Sequence, residues 1–261
     1  MNKRISLIDA DSIVYIIAWN HKDSLVSLVE QACDSMVETI LQKTQATHYF
    51  GTFSSSENFR HREYLVAPYK GNRPPKPEWV KEWEDVINSH LVNKWNFFVP
   101  VDLEADDVIS YLSQSLEEEV IICSPDKDMK QLVGLHFDYK DLGTAEIIEV
   151  QCKEAEKTFW TQVLTGDTTD NIKGVPGLGP AKVQKLFEGI TNEIDFHMTV
   201  LNAFKGYYGE YYGQLIYQQT VDAVQLMGKY HSHWKQYKVY LNSLPGLNSV
   251  PDKIEGSIPE L

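Results

Sequence analysis

The chain has 261 residues, 43% of them hydrophobic, with 15 glycines and 11 prolines. That excludes a disordered or low-complexity chain and allows a large core without covalent staples. Its three cysteines (Cys33, Cys123 and Cys152) lack metal-type spacing and are odd in number, so a reducing compartment is expected. A formal net charge of −13 discourages nucleic acid as a partner at first sight.

The start Met1-Asn2-Lys3-Arg4 looks like the basic end of a signal peptide, but Asp9 and Asp11 interrupt the apolar stretch that follows. No run is long enough to span a bilayer, so a soluble, cytoplasmic protein with no membrane partner is expected. Residues 5–8 read as a strand ending at Asp9, and a helical pattern runs from Ser12 to Trp19. Apolar spacing predicts a second helix over 24–41. Residues 48–53 read as a strand. Pro74-Pro75-Lys76-Pro77 is a stiff breaker before a helix over 78–90. A strand over 97–99, a helix over 104–116 and a buried-type strand over 120–123 follow. A helix over 151–165 closes the alternation. After Gly166 come turn residues and then helical patterns to about Leu241, with no convincing strand. The tail, rich in Pro, Gly and Ser, reads as extended.

This alternation predicts an α/β fold with a mainly parallel twisted sheet flanked by helices over 1–165, then a smaller helical region over 166–244 and a tail over 245–261.

Charge is unevenly spread. Residues 56–76 carry five cations (Arg60, Arg62, Lys70, Arg73, Lys76) against two anions, and residues 102–128 carry nine carboxylates against Lys127. Solvated faces would explain this alone. The positions say more: Asp9 ends the first strand, Glu104, Asp106 and Asp107 open a helix after the third, and Asp126 and Asp128 follow the fourth. In a parallel sheet the carboxyl ends of strands share one edge, where ligands bind. Gathered carboxylates should partly protonate unless a cation sits among them, and all-oxygen donors favour Mg²⁺ or Mn²⁺. Taken singly, Glu104–Asp107 fits a helix cap as well as a metal group, and Asp126-Lys127-Asp128 fits a capped turn. Asp106 lies close to its helix's apolar stripe, where an unpaired carboxylate is costly.

A second acidic pair, Asp167 and Asp170, precedes Gly174, Gly177 and Gly179. These glycines permit a tight hairpin, with Pro180 opening a helix and Lys182 and Lys185 beside it. Free N–H groups and lysines there make a site that reads nucleic-acid backbone rather than bases.

With these residues in hand, the chain resembles the structure-specific 5′ nucleases: bacteriophage 5′–3′ exonucleases, flap endonucleases and the 5′-nuclease domain of DNA polymerase I. The markers stand in order as Leu7-Ile8-Asp9, Tyr69 to Pro75, Glu104 to Asp107, Ser124 to Asp128 and Gly166 to Lys182. The resemblance implies a PIN-like nuclease core and a helical arch over about 70–95. A helix–three-turn–helix element would grip duplex DNA. By position Asp9, Glu104, Asp106 and Asp107 fall on the family's first acidic group, and Asp126, Asp128, Asp167 and Asp170 on its second. Lys70 matches the active-site lysine and Arg73 an arch base. Arg62 matches the paired arginine, with Arg60 close enough to leave that assignment open. Tyr15 falls where the family stacks an aromatic on a DNA base.

One departure stands out: the family's Phe-Asp at the second strand is Phe50-Gly51 here. One of two expected Mg²⁺ or Mn²⁺ ions should therefore bind weakly, unless Asp11 compensates. Some relatives also imply K⁺ on hairpin carbonyls.

The resemblance implies metal-dependent phosphodiester hydrolysis at 5′ ends and flaps of DNA, with an RNA primer as a further substrate, by a monomer in replication or repair. No nucleophilic triad has credible spacing. The rival readings are a DNA-junction binder that has lost chemistry and a PIN-type ribonuclease. His231 and His233 are expected on an exposed helical surface, and Tyr207, Tyr208, Tyr211 and Tyr212 are expected to pack.

Overall fold

The computed structural model describes residues 3–228 and 231–251; the first two residues and the end of the expected tail lie outside them. Strand β1 (Arg4–Asp9) carries Ile5, Leu7 and Ile8, all buried, because helices cover both faces of a parallel sheet. It is followed by α1 (Ala10–Asn20), α2 (Val26–Thr44) and β2 (His48–Thr52), which pairs with β1 in parallel and brings Asp9 opposite Thr52. Helices α3 (Phe59–Glu63), α4 (Glu78–Trp95) and α5 (Ala105–Ser115) precede β3 (Glu119–Cys123), which lies parallel on the other side of β1. Next come β4 (Gly134–Phe137), parallel to β3, and β5 (Ile147–Val150), antiparallel to β4.

Helix α6 (Cys152–Thr165) leads into the short pair β6 (Gly166–Asp167) and β7 (Ile172–Lys173). Then α7 (Pro180–Leu186), α8 (Glu193–Tyr208), α9 (Glu210–Val224) and α10 (Trp234–Leu241) follow, and β8 (Asn248–Ser249) returns antiparallel to β2. The sheet order is β5-β4-β3-β1-β2-β8, so the four central strands all point their carboxyl ends to one edge. No helix among the described residues is long and apolar enough to cross a membrane.

Two cores sandwich the sheet. On one face Ile13, Val14 and Ile17 of α1, Ile40 of α2, and Ile87, Leu91 and Trp95 of α4 pack together. On the other, Val108, Ile109 and Leu112 of α5 meet Leu7, Phe50 and Ile122, with Tyr237 and Leu241 of α10. A third cluster joins α6–α9 around Trp160, Val163, Val200, Phe204 and Tyr217 and takes in Tyr64 and Tyr69 from the segment before α4.

The structure corrects several expectations. Residues 78–95 do not arch freely, because Val80, Ile87, Leu91 and Trp95 bury one face of α4 against α1 and α2. The strand expected over 97–99 is reduced to one bridge, Phe98 with Thr52. Strands do occur after Gly166, as β6–β7 and β8. His231 is buried against Phe59 rather than exposed. Tyr208 packs, its hydroxyl donating to the Gly174 carbonyl at 2.8 Å, but Tyr207, Tyr211 and Tyr212 are exposed.

Candidate active site

Asp9 is both the last residue of β1 and the N-cap of α1. Its Oδ1 accepts the Asp11 N–H at 3.0 Å, and its Oδ2 accepts the Ser12 and Ser124 hydroxyls, each at 2.8 Å. Burial, then the Asp11 charge, still pushes this carboxyl up to about 7, against the pull of those hydroxyls. Asp106, in the first turn of α5, is raised well above the carboxylate range by burial and by Asp9, Asp126 and Glu104. Asp128 is pushed up to about 7 by burial and by Asp126 and Asp167. Asp9, Asp106, Asp126 and Asp128 at the sheet edge are thus linked by charge, and Asp167 of the β6–β7 pair joins them through Asp128. Asp126 also caps the turn after β3, taking the Asp128 N–H at 2.8 Å, and Asp167 takes the N–H groups of Thr169 and Asp170 at 2.6 and 3.2 Å.

Glu104 behaves differently. Burial opposes its charge, but Arg60 and then Lys70 outweigh it and hold Glu104 below the usual range. Lys70 bonds Glu104 directly, and Arg73 bonds Asp170. Glu104 and Asp170 on Lys70 likewise overcome its burial and raise it. The Tyr69 hydroxyl lies 2.8 Å from both Glu104 and Asp170 and ties the two acidic groups together. Lys70 adopts a left-handed backbone (φ 55°) whose N–H donates to the Asp170 carbonyl at 2.8 Å, which fixes the lysine at the rim.

Several sequence expectations change here. Asp107 is not free for a metal: Arg60 takes both its oxygens, at 2.6 and 2.9 Å, and the N–H groups of Met227 and Glu104 approach at 3.1 and 3.2 Å. Its role is to anchor α5 to Arg60 and to the residues after α9. Of the two arginines, Arg60 is withdrawn from any phosphate by burial, whereas Arg62 stays half exposed. Arg60 is buried on Glu104 and Asp107, and Arg62 forms a two-pronged pair with Asp102 at 2.7 and 2.6 Å.

Gly51 pairs with Ile8, one residue short of Asp9, and a Cβ there would overlap the Phe97 ring. A carboxylate at 51 would thus enter the core. The cleft position beyond β2 is held by Ser54, whose N–H donates to Asp11 Oδ1 at 3.1 Å and whose Oγ accepts the Ala105 N–H at 3.0 Å.

At the hairpin, Gly166 and Gly174 approach so closely that a Cβ on either would overlap the other's backbone. Gly177 has φ +83°, and Gly179 caps α7. Lys182 Nζ donates to the Gly177 carbonyl at 2.8 Å, so the chain's own ammonium occupies an oxygen on which K⁺ was expected. Lys185 is exposed, as is Tyr15 on α1. Residues not singled out from sequence alone are Arg60 as a buried clamp, Tyr69, Ser12, Ser124 and Ser54. Ser12, three residues after a strand-ending Asp, carried the clearest signal.

Among the described residues no three His, Cys, Asp or Glu side chains stand as a ready-made metal shell. The donor chemistry does fit: all-oxygen carboxylates that raise one another are relieved by a hard divalent cation.

A parallel sheet with an acidic carboxyl edge and a helical hairpin beside it defines a 5′-nuclease type of fold. A profile of the 5′–3′ exonuclease N-terminal, resolvase-like domain matches residues 4–162, and the chain belongs to this family. It is 29% identical over 173 residues to the flap endonuclease Xni of Shewanella amazonensis, covering 63% of this chain and 66% of that protein. It is 31% identical over 159 residues to a 5′-3′ exonuclease of Buchnera aphidicola, covering 56% of this chain and 51% of that one. A stretch of 143 residues is 32% identical to DNA polymerase I of Rhizobium leguminosarum, covering 49% of this chain and 14% of the polymerase. The alignments thus span less than two thirds of each of these relatives. Among solved structures, T5 5′-exonuclease with bound divalent metal ions (zinc) superposes with TM-score 0.65 at 17% identity, covering 92% of each chain. The bacteriophage T5 D15 flap endonuclease in a complex with DNA and metal ions superposes at 0.55 and 15% identity, covering 85% of this chain and 99% of that one.

Proposed function

We propose that the chain is a structure-specific 5′ nuclease, hydrolysing phosphodiesters at 5′ ends and 5′ flaps of DNA with Mg²⁺, or Mn²⁺ in its place. The observation that carries this reading is the meeting of Asp9, Asp106, Asp126, Asp128 and Asp167 at one sheet edge, rimmed by Lys70 and Arg73. Divalent ions held by these carboxylates would supply the Lewis acid and the activated water for in-line attack. Asp9 and Asp106 suit one ion and Asp128 and Asp167 a second, with Asp126 between them. Ser12 and Ser124 orient Asp9. Lys70 and Arg73, held at the rim by Glu104 and Asp170, turn cationic groups toward the phosphate being cut. The 174–179 hairpin with Lys182 and Lys185 grips duplex backbone, and Tyr15 stacks on a base beside the cleft. Flap removal during replication or repair fits the DNA polymerase I and flap endonuclease relatives, and we extend it to RNA primers and to a monomer.

A labelled 5′-flap duplex tests the reading. Cleavage at the junction should appear with Mg²⁺ or Mn²⁺, vanish with EDTA, and fall by about a hundredfold or more in Asp106→Asn. Binding without cleavage in either metal would identify a junction binder instead, and preference for RNA over flap DNA a ribonuclease.

A further inference from the structure

One face of α1 is left out of the core. Asp11, Tyr15 and Trp19 stand four residues apart and so share that face, and Tyr15 and Trp19 remain 62% and 46% exposed. The Tyr15 and Trp19 ring centroids lie 5.9 Å apart, and Trp19 meets the edge of Trp79, in the first turn of α4, at 5.2 Å. Lys22, exposed in the turn after α1, sets its Nζ 5.3 Å over the Trp79 ring. Trp83 Nε1 donates to the Lys22 carbonyl at 3.2 Å, which pins that turn to α4.

The row starts at the acidic edge, since α1 begins immediately after Asp9. From Asp11 to Trp19 it rises about 12 Å, the stacking length of about three nucleotides. The exposed Tyr15 and Trp19 accept any base on their π faces, the half-buried Trp79 backs Trp19 from α4, and the Lys22 ammonium at the far end meets phosphate. Continuity with the cleft and the charge of Lys22 favour a nucleic-acid strand over a protein as the occupant.

We propose that the Tyr15–Trp19–Trp79 row, ended by Lys22, is a binding track for the unpaired strand of a DNA junction as it leaves the acidic edge. The proposal rests on the nuclease reading but adds Trp19, Trp79 and Lys22 as determinants of flap-length preference.

Fluorescence anisotropy with Ca²⁺ in place of Mg²⁺, on junctions carrying unpaired 5′ strands of zero, three and six nucleotides, tests it. The wild type should bind the three-nucleotide junction about tenfold tighter than the flap-free duplex, with little further gain at six. Trp19→Ala and Trp79→Ala should each remove most of that gain and leave flap-free binding unchanged, while Trp19→Phe keeps it. Lys22→Glu alters only an exposed side chain and should also reduce the gain, which guards against a folding defect in the tryptophan variants. A gain that survives in Trp19→Ala and Lys22→Glu proteins of unchanged melting temperature overturns the track and leaves the row to a protein partner. Loss of binding to every junction, the flap-free duplex included, would instead overturn the nuclease reading.

Discussion

Arg60 holds more of the site together than any other single side chain. It is 2% exposed, lies 4.5 Å over the Phe59 ring, and donates to Glu104, to Asp107 and to the carbonyls of Ala223 and Gln225 at 2.8 and 3.2 Å. Removing it would leave the buried Asp107 without a cation and Glu104 with Lys70 alone, so Arg60→Ala should lose about 3–5 kcal/mol in urea unfolding. A variant as stable as the wild type would show that Glu104 and Asp107 find other partners.

His231 makes a pH-dependent prediction. Its Nδ1 accepts the His233 N–H at 3.1 Å and its Nε2 donates to the Asp222 carbonyl at 3.2 Å, which suits the neutral ring. Burial lowers its pKa to about 4. The unfolded chain therefore takes up this proton first, and the contribution of His231, complete above about 6.5, is lost as pH falls toward 4, by up to about 3 kcal/mol. The stability difference between wild type and His231→Gln, which cancels the carboxylates common to both, should shrink over that range; a constant difference would contradict it. The carboxylates on Arg60 and the Phe59 ring that buries His231 lie far away in sequence, so neither role was legible in the chain. Asp9 and Asp106 were legible because a strand end and an apolar helix stripe are local patterns.

At the scale of elements, the long helices and the strands β1, β2 and β3 were readable from periodicity, and their parallel order follows from alternation. The inner strand β4 and the edge strand β5 were not. β4 buries His136, and β5 exposes the adjacent Ile148 and Glu149, so neither shows the buried apolar run of β1 or β3. The arch was implied by the resemblance over about 70–95, and the proline breaker marks where α4 starts but not that its apolar face meets α1 and α2.

Two glycines make predictions here. Gly51→Asp should fail to strengthen metal binding and should destabilise the protein by about 1–3 kcal/mol, since its Cβ overlaps Phe97; tighter Mn²⁺ binding by calorimetry would refute this. Gly174→Ala should force β6 and β7 apart. It should lower both the melting temperature and the affinity for blunt duplex, and an unchanged affinity would remove the hairpin from the grip.

For the whole molecule, the proposed phosphate grip has to work against a net charge of −13 through local cations: Lys70 and Arg73 beside Glu104 and Asp170, and Lys182 and Lys185 on α7 after the hairpin. If all four meet phosphates, log K for duplex binding should fall against log salt with a slope of about −3 to −4, and a flat response would exclude the backbone grip. The fold brings together carboxylates from four separate stretches of sequence at and beside one sheet edge, and that convergence carries the functional reading. The most direct test is a crystal soaked in Mn²⁺, read by anomalous scattering. Density bounded by Asp9 and Asp106, with a second peak toward Asp128 and Asp167, is the predicted result. An acidic edge without anomalous density at saturating Mn²⁺ would contradict it.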